Sequence, residues 1–206
     1  MPQIALFGTS ADPPTTGHLA ILRWLSQHFD EVAVWASDNP FKSHQTALEH
    51  RTAMLRLLIH ELDLPKLHKS DLPKQNVQVY PELSSPRSLI TVERAQQRWS
   101  GAEFTLVIGA DLVNQLPQWF RVEELLKQVK LLVVPRPGYS LTIQDLSRLR
   151  QMGADVMIAD LSAPDVSSSA YREQGETENV TPPIQDYIDR EQLYGCHARK
   201  EKLPIY

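Results

Sequence analysis

One cysteine, Cys196, is the only thiol in a chain of 206 residues. A lone thiol closes no intramolecular disulfide, and without a CxxC pair there is neither a dithiol redox centre nor a zinc ribbon. Such a composition suits a reducing cytoplasm. Long apolar runs are missing too: none approaches the roughly 20 residues that cross a bilayer. The opening MPQIALFGTS lacks the basic start and the long apolar stretch of a secretion signal. The expectation is a cytoplasmic protein without membrane contact. Nor does one sign of charge dominate. Lys and Arg total 21 against 25 Asp and Glu, a formal charge of −4, and no basic tract is long enough to coat a nucleic-acid backbone. That argues against a nucleic-acid partner, although a pocket for one small anion needs only a few local cations.

What is present is ordinary globular material. Apolar residues make up 42% and charged residues 22%, so the chain can bury a real core in one domain. Short apolar runs bounded by turn residues alternate with amphipathic stretches, which predicts βαβ units and a parallel sheet. Strands are expected at residues 3–7, 31–36, 77–80, 104–109, 131–134 and 156–158. A first helix is expected from near Gly17, with Leu19, Leu22, Leu25 and Phe29 on one stripe. A second covers 47–62, with Leu48, Met54, Leu55, Leu58 and Leu62 on one face, and others cover 88–99, 121–127 and 183–190. Residues 62–76 are polar, carry two prolines and read as a long surface loop. Neither an internal repeat nor a linker is visible, so residues 1–195 are expected to form one domain and 196–206 a polar tail.

Right-handed crossovers between these strands give an α/β fold of three layers around a doubly wound parallel sheet. Such sheets bind ligands beyond the carboxyl ends of their strands. Function is therefore expected in the strand-to-helix loops 8–18, 37–44, 109–119 and 135–139.

The first of these, GTSADPPTTGH, holds two glycines, two adjacent prolines and five hydroxyl or carboxylate side chains, and it ends in His18 within a first helical turn. N–H groups at a helix start, with the positive end of the dipole, favour an anion there, and His18 adds a donor. It is neither a Walker pattern nor GxGxxG. Alone, the same residues would also serve a tight turn and a surface histidine. A second motif, Val166-Ser167-Ser168-Ser169-Ala170-Tyr171-Arg172, lies about 150 residues later at another loop-to-helix boundary. Consecutive serines cap helices and offer hydroxyls to phosphate, and Arg172 brings a planar fork suited to bidentate phosphate binding. An ordinary serine cap followed by a solvated arginine is the plainer alternative. His28, His44, His50, His60 and His68 lack paired metal-ligand spacing, and His197 falls in the tail, so no metal site is expected.

Together the two motifs resemble the nucleotidyltransferase superfamily, with its HxGH-type loop after the first strand and ISSTxxR-type motif near the C-terminus. More closely, the chain resembles the bacterial nicotinate-nucleotide adenylyltransferases. FTLVIGAD at 104–111, Leu116 to Trp119, PRPGY at 135–139 and the closing Pro183, Tyr187, Ile188, Leu193 and Tyr194 follow that family's pattern in order. The first loop departs from it: Thr9 replaces a Gly, Ala11 a Phe and Thr15 a His. Residues 39–42, Asn-Pro-Phe-Lys, and 87–91 follow the family's second loop and its Ser-Tyr-Thr motif only loosely.

The resemblance implies a Rossmann-like fold and direct attack by a mononucleotide phosphate on the α-phosphorus of ATP, giving a dinucleotide and pyrophosphate in NAD biosynthesis. It implies His18, Lys42 and Arg172 as catalytic residues. ATP is expected at Gly8, Thr9, Ser10, Thr15, Gly17, His18, Gly109, Asp111, Arg136, Ser167, Ser168 and Arg172. Nicotinate mononucleotide, or nicotinamide mononucleotide, is expected at Ser10, Lys42, Ser88 and Trp119. Asp111 is either a ribose acceptor or a helix cap, Arg136 a neighbour of ATP or a turn residue, and Trp119 a pyridine platform or a half-buried aromatic. Mg2+ would arrive with ATP. Self-association into a homo-oligomer is left open. Two other readings remain beside this one: a pantetheine-phosphate adenylyltransferase, and a catalytically silent nucleotide-binding module.

Overall fold

A computed structural model describes residues 1–39, 45–62 and 75–195. Six parallel strands form one sheet in the order β3-β2-β1-β4-β5-β6. They are β1 (Gln3–Thr9), β2 (Glu31–Ala36), β3 (Val77–Val79), β4 (Glu103–Gly109), β5 (Lys130–Val134) and β6 (Asp155–Ile158). The helices are α1 (Thr16–His28), α2 (Leu48–His60), α3 (Ser88–Arg98), α4 (Val122–Leu126), α5 (Ile143–Gln151), α6 (Ser168–Gln174) and α7 (Pro182–Arg190).

The pleat divides each central strand between two cores. Ile4 and Leu6 of β1 join Leu89 and Val92 of α3, Leu125 of α4 and Leu149 of α5 on one face. Ala5 and Phe7 join Leu22 and Leu25 of α1, Met54, Leu55 and Leu58 of α2, and Ile184 and Ile188 of α7 on the other. Alternate side chains of a strand point to opposite faces, so strands buried on both faces are expected to be nearly all apolar; in the buried middle of β1, β2 and β4 the one polar side chain is Thr105. The three expected layers follow. Fully buried Leu22, Leu25 and Leu58 each carry about 2–5 kcal/mol against truncation to Ala.

Boundaries differ from the sequence reading in few places. β1 runs on to Thr9 rather than stopping at Phe7, pairing through Thr9 with Ala36 of β2. α5 was not expected. Only Leu149 of that helix is buried, and Ile143 is 87% exposed, so it shows no broad apolar stripe. What starts it is a capping box, in which the Thr142 hydroxyl accepts from the Asp145 N–H and the Asp145 carboxylate accepts from the Thr142 N–H. α4 is shorter than expected because Arg121, at φ 51°, breaks it at the start. Among the described residues no helix is long and apolar enough to cross a membrane.

The sheet order reverses at β1: the chain builds outward through β2 and β3, then returns to lay β4 on β1's other side. Loops leaving β1 and β4 therefore diverge to opposite faces and leave a crevice between them.

Candidate active site

Two clefts open at that crevice. One has a volume of about 480 Å³ and the other about 560 Å³, and Gly8, Ser37, Asn39, Val107, Ile108 and Leu112 line both. All twelve residues expected to hold ATP line the first: Gly8, Thr9 and Ser10 from the end of β1; Thr15, Gly17 and His18 from the start of α1; Gly109, Asp111 and Arg136 from the β4 and β5 loops; and Ser167, Ser168 and Arg172 around α6. Ser88 and Trp119 line the second, whereas Ser10 belongs to the first alone. Lys42 lies outside the described residues.

Close approach requires a glycine at Gly8, where the neighbour is a rigid ring, and favours one at Gly109, where it is the end of a side chain that can turn aside. A Cβ on Gly8 would collide with the Trp35 indole at 2.5 Å, and one on Gly109 would collide with the Asp111 carboxylate. Trp35 thus packs flat under the seam between the clefts, which only a bare backbone permits.

His18 is fixed from both sides. Thr15 is the N-cap of α1, and its backbone N–H donates to His18 Nδ1 at 3.1 Å, with the Thr15 hydroxyl 2.9 Å from the same nitrogen. A backbone N–H can only donate, so Nδ1 accepts and the ring proton resides on Nε2. Nε2 lies 3.0 Å from the Thr9 hydroxyl, which accepts that proton's hydrogen bond. The substitutions at Thr9 and Thr15 therefore bracket one imidazole, aiming a donor into the cleft beside the positive end of α1.

The rest of the first loop is clasped by distant parts of the chain. Asp12, 5% exposed, accepts from the Thr46 N–H at 3.1 Å and from the Tyr194 hydroxyl at 2.6 Å. Burial, and that hydrogen bond to a carboxylate, push the Tyr194 hydroxyl well above the usual phenol range. Arg172 Nη1 donates to the Asp12 carbonyl, Arg172 Nη2 to the Ser169 hydroxyl at 3.2 Å, and the Ser168 hydroxyl to the Pro13 carbonyl at 2.8 Å. Ser167 caps α6 by accepting from the Ala170 N–H at 3.0 Å. The serine motif thus both borders the cleft and locks the first loop against α6.

Asp111 is not a helix cap, since Gly109 holds the N-cap position there, and it lines the first cleft. It sits in a 3-10 turn, Ala110–Leu112, and pairs with Arg136 Nη1 at 3.0 Å across the rim of the first cleft. Arg136 opens a tight turn in which Pro137 precedes Gly138 at φ 81°, and the Tyr139 N–H donates back to the Arg136 carbonyl at 3.1 Å.

Sequence reasoning missed Arg51. Only 2% exposed, it donates through Nε to the Thr46 carbonyl at 2.7 Å, and through Nη1 to the Ser10 carbonyl at 3.0 Å and the Ser37 carbonyl at 2.8 Å. One guanidinium therefore ties the loop after β1 to the loop after β2. Burial lowers its pKa, an effect opposed by the nearby Asp12 and Asp38 carboxylates, and the group remains cationic. A signal existed: Arg51 falls three residues after Leu48 and four before Leu55, on the buried stripe of α2.

Comparisons with known proteins agree with this geometry. The cytidylyltransferase-like family model matches residues 6–174. A Synechocystis protein named a probable nicotinate-nucleotide adenylyltransferase is 46% identical, over 93% of this chain and 98% of its own length. The Bacillus subtilis nicotinate-nucleotide adenylyltransferase is 25% identical over 94% of this chain and 99% of its own. Among solved structures, the nicotinic acid mononucleotide adenylyltransferase of Plasmodium falciparum complexed with NaAD superimposes with a TM-score of 0.77 at 18% identity, covering 95% of this chain and 98% of that one. With a family model spanning most of its length and a full-length relative at 46% identity, the chain belongs to the nicotinate-nucleotide adenylyltransferases of the cytidylyltransferase-like family.

Proposed function

We propose that the two clefts are the two halves of one adenylyl-transfer site, ATP in the first and nicotinate mononucleotide in the second, with the reacting phosphates meeting at the seam by Gly8. The family's reaction joins the AMP moiety of ATP to that mononucleotide and releases pyrophosphate, a step of NAD biosynthesis. The observation that carries the assignment of halves is the shared lining at the topological switch point, with the His18 imidazole presented to the first cleft from the start of α1.

In the transfer, an oxygen of the mononucleotide phosphate forms a bond to the α-phosphorus as the bond to the pyrophosphate oxygen breaks. The protein's task is to align these groups and to stabilise charge on the phosphate oxygens. His18 Nε2–H, now given to the Thr9 hydroxyl, turns to an α-phosphate oxygen as charge builds there. Ser168 and Arg172 lie where the β- and γ-phosphates leave, and Arg172 exchanges the Asp12 carbonyl for phosphate. Both oxygens of Asp12 already accept hydrogen bonds and Asp111 is paired with Arg136. Magnesium therefore fits as a companion of ATP, held by phosphates and water, and not as an ion in a carboxylate cage. Lys42 completes the proposal from the second loop, and a cytoplasmic setting suits the reaction.

Pyrophosphate release tests this reading. Release with ATP and nicotinate mononucleotide, and none with phosphopantetheine, is expected. ATP binding without release for any mononucleotide would make the chain a silent module instead.

A further inference from the structure

The mononucleotide that enters the second cleft carries two anionic groups, a 5′-phosphate and a pyridine carboxylate. The phosphate has to reach the seam by Gly8. On that assignment the ring and its carboxylate would lie toward Trp119, which lines this cleft whereas His18 lines only the first. Among the described residues lining this cleft, Arg87 is the only cation and Asp38 the only carboxylate. Arg87 does not line the first cleft.

Arg87 is held at both ends. Its backbone is the N-cap of α3: its carbonyl accepts from the Ile90 and Thr91 N–H groups at 3.0 and 3.3 Å, and its N–H donates to the Ser85 hydroxyl at 3.2 Å. Its guanidinium carbon stands 4.3 Å from the centroid of the Phe120 ring, next in sequence to Trp119. A guanidinium held over an aromatic face keeps its N–H donors for acceptors beside it, and its fork suits a planar carboxylate. None of the ion pairs among the described residues involves Arg87. The first turn of α3, whose Ser88 and Thr91 also line this cleft, adds to the positive potential.

We propose that Arg87, braced by Phe120, is the specificity-determining residue that reads the pyridine carboxylate and so separates nicotinate from nicotinamide mononucleotide. This rests on the assignment of the second cleft to the mononucleotide. A carboxamide offers the guanidinium one neutral acceptor and a competing N–H2 donor, whereas a carboxylate offers two charged acceptors. Because Arg87 is exposed at the rim, water competes, and the discrimination it supplies is roughly tenfold rather than absolute.

Calorimetry on the full chain, with each mononucleotide as titrant, reads this without turnover. Wild type is expected to bind nicotinate mononucleotide more tightly than nicotinamide mononucleotide. Arg87→Ala should remove about tenfold of that preference by weakening the nicotinate form alone, with ATP affinity unchanged, and Arg87→Lys should restore part. Phe120→Ala should produce a smaller loss in the same direction. An undiminished preference in Arg87→Ala, an equal loss for both mononucleotides, or a wild type that does not distinguish them overturns the proposal. Pyrophosphate release by wild type, measured alongside, separates these outcomes from a failure of the functional assignment: an active wild type with an unaltered ratio condemns only the role of Arg87.

Discussion

The two halves of the site are built differently. The first cleft, the proposed ATP half, is tied together by polar bonds between residues far apart in sequence: Arg172 and Ser168 to the first loop, Asp12 to Tyr194 and the Thr46 backbone, Asp111 to Arg136. The second cleft, the proposed mononucleotide half, is walled by Trp35, Leu106, Trp119 and Phe120. Phosphate chemistry needs donors placed to within a fraction of an ångström, and polar networks of satisfied groups supply that rigidity. An aromatic ring needs shape and a flat neighbour, which apolar walls supply. Loss of a polar group in the ATP half should therefore impair the reaction with either mononucleotide, whereas changes in the other half should alter only which mononucleotide is used.

His18 offers the severest test of that contrast. His18→Ala should lower kcat by roughly 10²–10³ with nicotinate and nicotinamide mononucleotides alike, because the lost contact strengthens only as charge develops. KM for ATP should change much less. Steady-state kinetics with both mononucleotides check this, and a loss confined to one of them would break the division between the halves.

Arg51 bonds both loops, so it tests whether the halves are mechanically separate. Arg51→Met keeps the bulk but leaves the Thr46, Ser10 and Ser37 carbonyls without their donor. The expected cost is on the order of 3 kcal/mol in the urea unfolding free energy, together with a fall in kcat/KM for both substrates. Full stability with normal kinetics would show that each loop is held by its own half.

How far the sequence reveals each half follows from the same contrast. Gly8, His18, Gly109 and the serine motif stand out because phosphate sites draw on a small vocabulary of residues at helix starts and strand ends, and all of them reached the first cleft. The sheet was equally visible, since β1, β2 and β4 are near-continuous apolar runs buried on both faces, with Thr105 the one polar side chain inside them. Arg51 and Arg87 were not picked out. Their significance lies in what stands opposite them in space, the Ser37 carbonyl and the Phe120 ring, and no local spacing encodes that. The pairing of Asp111 with Arg136 escaped for the same reason, 25 residues separating the two. α5 escaped because a helix burying one leucine has almost no periodicity to detect, and only its Thr-x-x-Asp start marked it.

A smaller effect is expected at Arg172, whose loss should stay on the ATP side. Arg172→Ala should raise KM for ATP and, in the reverse reaction, KM for pyrophosphate, while KM for the mononucleotide holds. Arg172→Lys should fall between, since an ammonium keeps the charge without the planar fork. Unchanged KM in both directions, in a folded variant, would leave Arg172 a structural role, bonded to the Asp12 carbonyl and the Ser169 hydroxyl.

The smallest effect is expected at Thr9, and it distinguishes positioning from chemistry inside the ATP half. Thr9 accepts the His18 Nε2 hydrogen bond at 3.0 Å, while Thr15 independently fixes Nδ1 from the opposite side. With the Thr9 restraint removed, the imidazole keeps its tautomer, because the Thr15 N–H still requires an acceptor at Nδ1. Thr9→Gly should therefore lower kcat by only about two- to tenfold, the worth of one net hydrogen bond, and leave KM for both substrates in place. Thr9→Ser, which retains the hydroxyl, should recover most of the rate. Thr15→Ala, by contrast, frees Nδ1 from its side-chain partner and weakens the cap of α1, so it should cost more than Thr9→Gly in both kcat and thermal stability. If Thr9→Gly proved as damaging as His18→Ala, and Thr9→Ser restored activity, the Thr9 hydroxyl would itself be in contact with the reacting phosphate, and the donor aimed at the cleft would be a Thr–His pair.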